Sequence, residues 1–140
     1  MDASHGPSLN PQHSALNPPK RHVLGRRDEF PPGSCRIVPL GGAAGIGVYN
    51  LGGELFALRN ICPHEGAPLC RGDLRAHVRA EQVGGRYRYL YERPGEIVAC
   101  PWHEWEFDVR TGRALHDPRQ RVKTYAVAAE GDDVVLYLER

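Results

Sequence analysis

No stretch of this chain runs far before a glycine or a proline interrupts it: sixteen glycines and twelve prolines are spread over 140 residues. That punctuation excludes long helices, because proline removes a backbone donor and glycine costs about 1 kcal/mol in a helix interior. What survives between the breaks is short, β-branched and aromatic. Arg36–Pro39 and Ile46–Asn50 read as strands, and Leu51-Gly52-Gly53 turns the second back into Leu55–Arg59. Tyr87–Tyr91 alternates aromatic with other side chains, and Glu92-Arg93-Pro94-Gly95-Glu96 reads as a turn into Ile97–Ala99. Lys123–Ala128 and Val134–Glu139 flank a hairpin turn at Glu130-Gly131-Asp132-Asp133. Only Arg71–Glu81 has the composition for a short helix. Many short strands at close spacing predict an all-β barrel or sandwich.

Residues 1–21 lack this pattern. Pro7, Pro11, Pro18 and Pro19 lie there among Ser, Asn, Gln and His, a composition that buries too little surface to offset the entropy of ordering. A flexible tail over 1–21 and one folded domain over 22–140 are expected. With 41% apolar and 25% charged residues and a net charge of +1, the domain is ordinary for a globular protein. The charge gives no reason to expect nucleic acid or an anionic membrane as main partner. No apolar run approaches the roughly 18 residues that a membrane-spanning helix needs. Met1–Asn10 has no basic cluster followed by an apolar core, so a cytoplasmic location is expected. In that compartment four cysteines point to metal or redox chemistry rather than to disulfides.

Two blocks carry such chemistry, Cys62-Pro63-His64 and Cys100-Pro101-Trp102-His103, and both follow predicted strands. Each offers a thiolate and an imidazole from one loop. Thiolate suits zinc and iron–sulfur clusters, and imidazole suits zinc, copper, iron and nickel, so spacing alone leaves tetrahedral zinc and a mixed-ligand iron–sulfur cluster both open.

The flanking residues extend the blocks to Cys62-Pro63-His64-Glu65-Gly66-Ala67-Pro68-Leu69 and Cys100-Pro101-Trp102-His103-Glu104-Trp105-Glu106-Phe107-Asp108, followed by Thr111-Gly112. Here the chain resembles the Rieske family, in its ferredoxin and ring-hydroxylating-oxygenase branch, whose loops read C-P-H-x-G-A-P-L and C-P-W-H-G-W-x-F-D-x-x-T-G. The resemblance is dense over 60–71 and 98–115. It implies three antiparallel sheets with one [2Fe–2S] cluster held by two loops at the tip. Cys62 and Cys100 would ligate one iron, and His64 and His103 the other. Neutral imidazoles in place of two thiolates leave such a cluster less negative and easier to reduce. The disulfide of the quinol-oxidising branch is ruled out by Ala67 and Trp102 at its positions. Trp105 and Phe107 stand where that branch has hydroxyls, which implies a potential toward the low end of the Rieske range.

Two departures stand out. Glu104 replaces a glycine of the family pattern, so its side chain must fit or the loop must shift. Thirty-five residues separate His64 from Cys100, about twice the usual gap, and the excess lies in an insert at about 71–99. That insert carries Arg71, Arg75, Arg79, Arg86, Arg88 and Arg93 against Asp73, Glu81 and Glu92. It reads as a solvated hairpin, with a docking patch for an acidic redox partner as the alternative. Cys35 and Cys70 read as small buried thiols. His77 and His116 read as surface or loop histidines, and His5 and His13 belong to the tail. Trp102 and Trp105 flank His103 and are expected to cover the cluster.

The function implied is one-electron transfer, as a soluble ferredoxin or the Rieske subunit of a larger oxidoreductase, with reductase, oxygenase or other oxidoreductase subunits as partners. A complete Rieske oxygenase also needs a mononuclear iron held by two His and a carboxylate. Nothing resembling that follows residue 115, so no substrate site is expected. The alternatives are a structural or assembly subunit of such an oxidoreductase, or a zinc-binding module.

Overall fold

The computed structural model describes residues 18–64, 66–102, 104–117 and 119–139. Among them the strands are β1 (Lys20–Arg26), β2 (Cys35–Val38), β3 (Ile46–Leu51), β4 (Glu54–Arg59), β5 (Asp73–Val83), β6 (Arg86–Ala99), β7 (Glu106–Asp108), β8 (Thr124–Glu130) and β9 (Asp133–Leu138). Every pairing between them is antiparallel. They form three ladders, β1-β9-β8, β2-β3-β4 and β5-β6-β7, and the first two join where Ala57 and Leu58 of β4 meet Tyr125 and Thr124 of β8. The order of the joined sheet is β1-β9-β8-β4-β3-β2.

The strand at Lys20 starts two residues ahead of the expected domain boundary at His22. The tail expected over 1–21 lies, through residue 17, outside the described residues. Gly52 and Gly53, both at positive φ, close the β3–β4 hairpin, as two-residue turns of right-twisted strands require.

The segment expected to hold a short helix, Arg71–Glu81, is instead a 3-10 turn (Leu69–Arg71) running into β5. No apolar stripe at helical spacing favours a helix there, and the Tyr-rich β6 supplies a cross-strand partner along the whole length. Gly84 and Gly85, at φ +60° and +78°, make the connecting turn. The turn expected at 92–96 lies within β6 as a bulge: Arg75 pairs with Ile97 and His77 with Glu92, so Arg93–Glu96 oppose the single residue Ala76. Beyond that bulge the β5–β6 ribbon has no third strand among the described residues, because β7 pairs only with Ile97–Ala99.

Two buried clusters divide the interior. Phe30, Val38, Ile46, Val48, Val134 and Leu136 fill the joined sheet. Tyr49, Leu58, Leu69, Val98, Phe107 and Val122 pack beneath the two Cys-Pro loops, with Cys62, Ala67 and Cys100 among them. Arg110 ties the two sheets: its Nη2 donates to Glu54 at 2.7 Å and its Nε to Glu96 at 3.0 Å, while the guanidinium lies over the Phe56 ring.

Candidate metal centre

The two loops leave the ends of β4 and β6 with the same backbone wiring. In the first, the Cys62 N–H donates to Ala67 O at 2.9 Å and the Gly66 N–H to Cys62 O at 2.8 Å. In the second, the Cys100 N–H donates to Trp105 O and the Glu104 N–H to Cys100 O, each at 2.8 Å. Each loop therefore folds back around its cysteine from five residues on. The wiring needs a left-handed residue four positions after the cysteine, supplied by Gly66 (φ +78°) and by Glu104 (φ +58°). Glu104 thus keeps the loop shape at the expense of backbone strain. Its exposed carboxylate accepts from Arg75 Nη1 at 3.4 Å.

Cys62 and Cys100 are buried, at 1% and 2% exposure, while His64 is exposed. His103 falls between Trp102 and Glu104, outside the described residues, as does Glu65. Among the described residues no three His, Cys, Asp or Glu side chains gather around a single ion. The Trp105 ring of the second loop stacks on His64 of the first, with centroids 4.2 Å apart and planes 8° from parallel. The exposed His116 packs edge-on against the same indole at 4.3 Å. Aromatic packing joins the loops where Ala67 and Trp102 offer no disulfide. Trp102 is 57% exposed.

Three features were not legible in the sequence. Cys35 and Cys70, expected as separate thiols, are joined in a disulfide with Cα atoms 5.7 Å apart. The pairing is long-range, between β2 and the 3-10 turn that ends the first loop, and it lies over Gly47, where a Cβ would meet both sulfurs at 3.0–3.1 Å. Asn60 is the second feature. Buried at 4%, it accepts from the Cys70 N–H at 2.7 Å and donates to Ala44 O at 3.1 Å, so it clamps the first loop shut across its base. Burial of a polar side chain with both ends bonded is visible only in the fold, so the sequence carried no local signal for it. The third is His77, expected in a loop or at the surface, which sits in β5 beside the bulge with Nδ1 buried and without a hydrogen-bond partner among the described residues.

Arg75 lies within 3.4–3.7 Å of Asp73, Glu104 and Glu106. At the bulge, hydrogen bonds from Arg110 and then Arg93 hold the Glu96 carboxyl below the usual carboxylate range.

A two-loop, antiparallel β architecture with paired Cys-Pro turns defines an iron–sulfur carrier domain of a known kind. The Rieske [2Fe–2S] domain model matches residues 20–126, and the chain belongs to that family, whose domain carries one [2Fe–2S] cluster. The chain is 33% identical over 111 residues to the ferredoxin component of a naphthalene 1,2-dioxygenase system from Pseudomonas aeruginosa, covering 79% of this chain and 88% of that protein. It is 31% identical over 114 residues to the biphenyl dioxygenase ferredoxin subunit of Pseudomonas sp. (strain KKS102), covering 81% and 87%. The solved Sphingomonas yanoikuyae B1 ferredoxin superposes with a TM-score of 0.60 at 27% identity, over 86% of this chain and 99% of that one. No helix among the described residues is long and apolar enough to cross a membrane.

Proposed function

We propose that this chain is a soluble, cytoplasmic one-electron carrier, passing electrons from a reductase to an oxygenase-type enzyme through a cluster held by Cys62, Cys100, His64 and His103. The observation that carries this reading is the matched wiring of the two loops, which presents two buried cysteines from equivalent turns. Thiolates at Cys62 and Cys100 suit one iron, and neutral imidazoles at His64 and His103 the other. When bound, the cluster takes up and releases a single electron. The burial of Cys62 and Cys100 would keep water from the iron they hold. His64 stays exposed, and Trp105 fixes its ring plane by stacking, which leaves the histidine side as the short route to a partner.

The test is chemical. Anaerobically purified protein is expected to contain about two irons and two acid-labile sulfides per chain. His64→Cys is expected to lower the reduction potential or lose the cluster, because a thiolate adds negative charge. Zinc without iron, or an unchanged potential and spectrum in His64→Cys, would sink the assignment.

A further inference from the structure

Most arginines of this chain are neutralised where they stand. Arg21, Arg26, Arg36, Arg75, Arg79, Arg88, Arg93, Arg110 and Arg119 each lie within 4.0 Å of a carboxylate. Four of the insert's six arginines follow this rule, Arg71 and Arg86 having no carboxylate partner among the described residues, and the insert thereby loses most of its appeal as an acidic partner's landing site. Positive charge is left uncompensated elsewhere, in a cavity of about 720 Å³ bordered by Arg113, Arg121 and Lys123 together with Thr111 and Thr124. None of these three cations pairs with a carboxylate among the described residues, and Lys123 Nζ lies over the Tyr125 ring instead. The one carboxylate at the rim, Asp108, is already engaged, accepting from Arg93 at 2.7 Å and from the Arg110 N–H at 2.9 Å.

The backbone forces these cations together. Arg113 and Arg121 face each other across an isolated antiparallel bridge, which places their Cβ atoms about 5 Å apart, an unfavourable arrangement for like charges by itself. The two segments have no freedom to part. The Val122 N–H donates to Gly112 O at 2.7 Å and the Ala114 N–H to Gln120 O at 2.9 Å. A Cβ on Gly112 would lie 2.4 Å from Val122 O. In a chain whose net charge is only +1, this local excess is a property of the site, not of overall composition.

We propose that this cavity is a socket for an acidic segment of the partner protein, several of whose carboxylates replace the missing counter-charges. Three cations set along two adjoining segments, in a cavity far larger than one phosphate, suit a row of carboxylates better than a single small anion. The position also suits the role proposed above, on which this inference rests. Leu115 lines the cavity, and the next residue, His116, packs on Trp105, which stacks on His64. A partner anchored in the socket is thereby placed two ring contacts from the histidine side of the centre.

The test uses the full-length, iron-loaded protein and an octaglutamate peptide, with octaglutamine and pyrophosphate as comparison probes, followed by calorimetry at low and moderate salt. Saturable one-to-one binding of octaglutamate is expected, weakening as salt rises. The Arg113→Gln/Arg121→Gln variant is expected to weaken it by more than about tenfold. The Lys20→Gln/Arg27→Gln variant, which removes the same charge elsewhere, is expected to stay within about twofold of the parent. Equal weakening by both variants would overturn the proposal, since binding would then reflect diffuse charge. So would absence of peptide binding, or pyrophosphate binding that is tighter and abolished by the same two substitutions, which would make this a small-anion site. Iron content and folded signal are measured on each sample, so loss of the carrier reading and loss of the socket are separable.

Discussion

The head of the molecule, where the two Cys-Pro loops cap their core, and the arm, where β5 and β6 run on alone, are both hairpin structures held by different forces. The head is closed by burial and by satisfied polar groups: Leu58, Leu69, Val98 and Phe107 are fully buried beneath it, and Asn60 has both ends bonded. The arm has almost no interior. Along one face Tyr87, Tyr89 and Tyr91 stand beside Gln82, Ala80 and Val78, and the tyrosines are 64–71% exposed. Along the other, Arg79 pairs with Glu92 at 3.0 Å and Arg88 with Glu81. A lone two-stranded ribbon is marginal in water, and exposed ion pairs add little. The head closes over a dry core, whereas the arm depends on pairing between its own two strands.

The sharpest way to break this contrast is at Asn60. Asn60→Ala orphans the buried Cys70 N–H and removes the partner of the half-buried Ala44 carbonyl, and is expected to cost about 1–3 kcal/mol in denaturant unfolding, with reduced iron per chain. An unfolding midpoint unchanged from the parent would show that the clamp does not hold the loop. A smaller effect separates the two loops within the head. Gly66→Ala, forced into the left-handed region, is expected to destabilise by about 1 kcal/mol, while Glu104→Gly is expected to stabilise by roughly 0.5 kcal/mol, the gain in strain being partly offset by added freedom of the unfolded chain. Equal signs for the two would contradict their matched geometry.

The arm responds to pH. The Arg79 hydrogen bond holds the Glu92 carboxyl below its ordinary range, so this pair contributes above the unfolded value of about 4.3 and is lost as pH falls through the lowered folded value. Because the pair is exposed, ring signals of Tyr87, Tyr89 and Tyr91 are expected to shift only slightly in that acid window. In Glu92→Gln the same small shift should already be present at neutral pH, with head signals unmoved. The smallest effect is expected from removing the arm. Replacing 78–91 by Asn-Gly, next to the retained His77–Glu92 pair, should leave iron content unchanged and unfolding free energy within about 1 kcal/mol. A deletion that unfolds the head would show the arm to be part of its core.

Sequence reading reached the head better than the arm because the two carry different kinds of signal. Cys62, His64, Cys100 and His103 fall in dense local motifs, and short-range patterning located β3, β4, β8 and β9 within a residue or two. The Cys35–Cys70 disulfide and the Asn60 clamp join positions far apart in the chain, and no local pattern encodes them. β5 carries neither an apolar stripe at helical spacing nor a clean alternation, so its state is decided by the strand beside it. β7, three residues long, is too short for any periodicity to show.

Asp73 and Ala99 pair directly across the root of the ribbon, immediately after the first loop and immediately before Cys100. The ends of the insert therefore meet at a fixed gap, whatever lies between them. Residues can be added or removed in opposed pairs at Gly84-Gly85 without shifting either Cys-Pro turn. The count separating the two Cys-Pro blocks is accordingly an unreliable yardstick for finding chains of this kind, and an opportunity for an engineer. A dye, a tether or an electrode linker placed at the glycine tip would stand about 35 Å from the root, on a stalk whose length can be cut to measure.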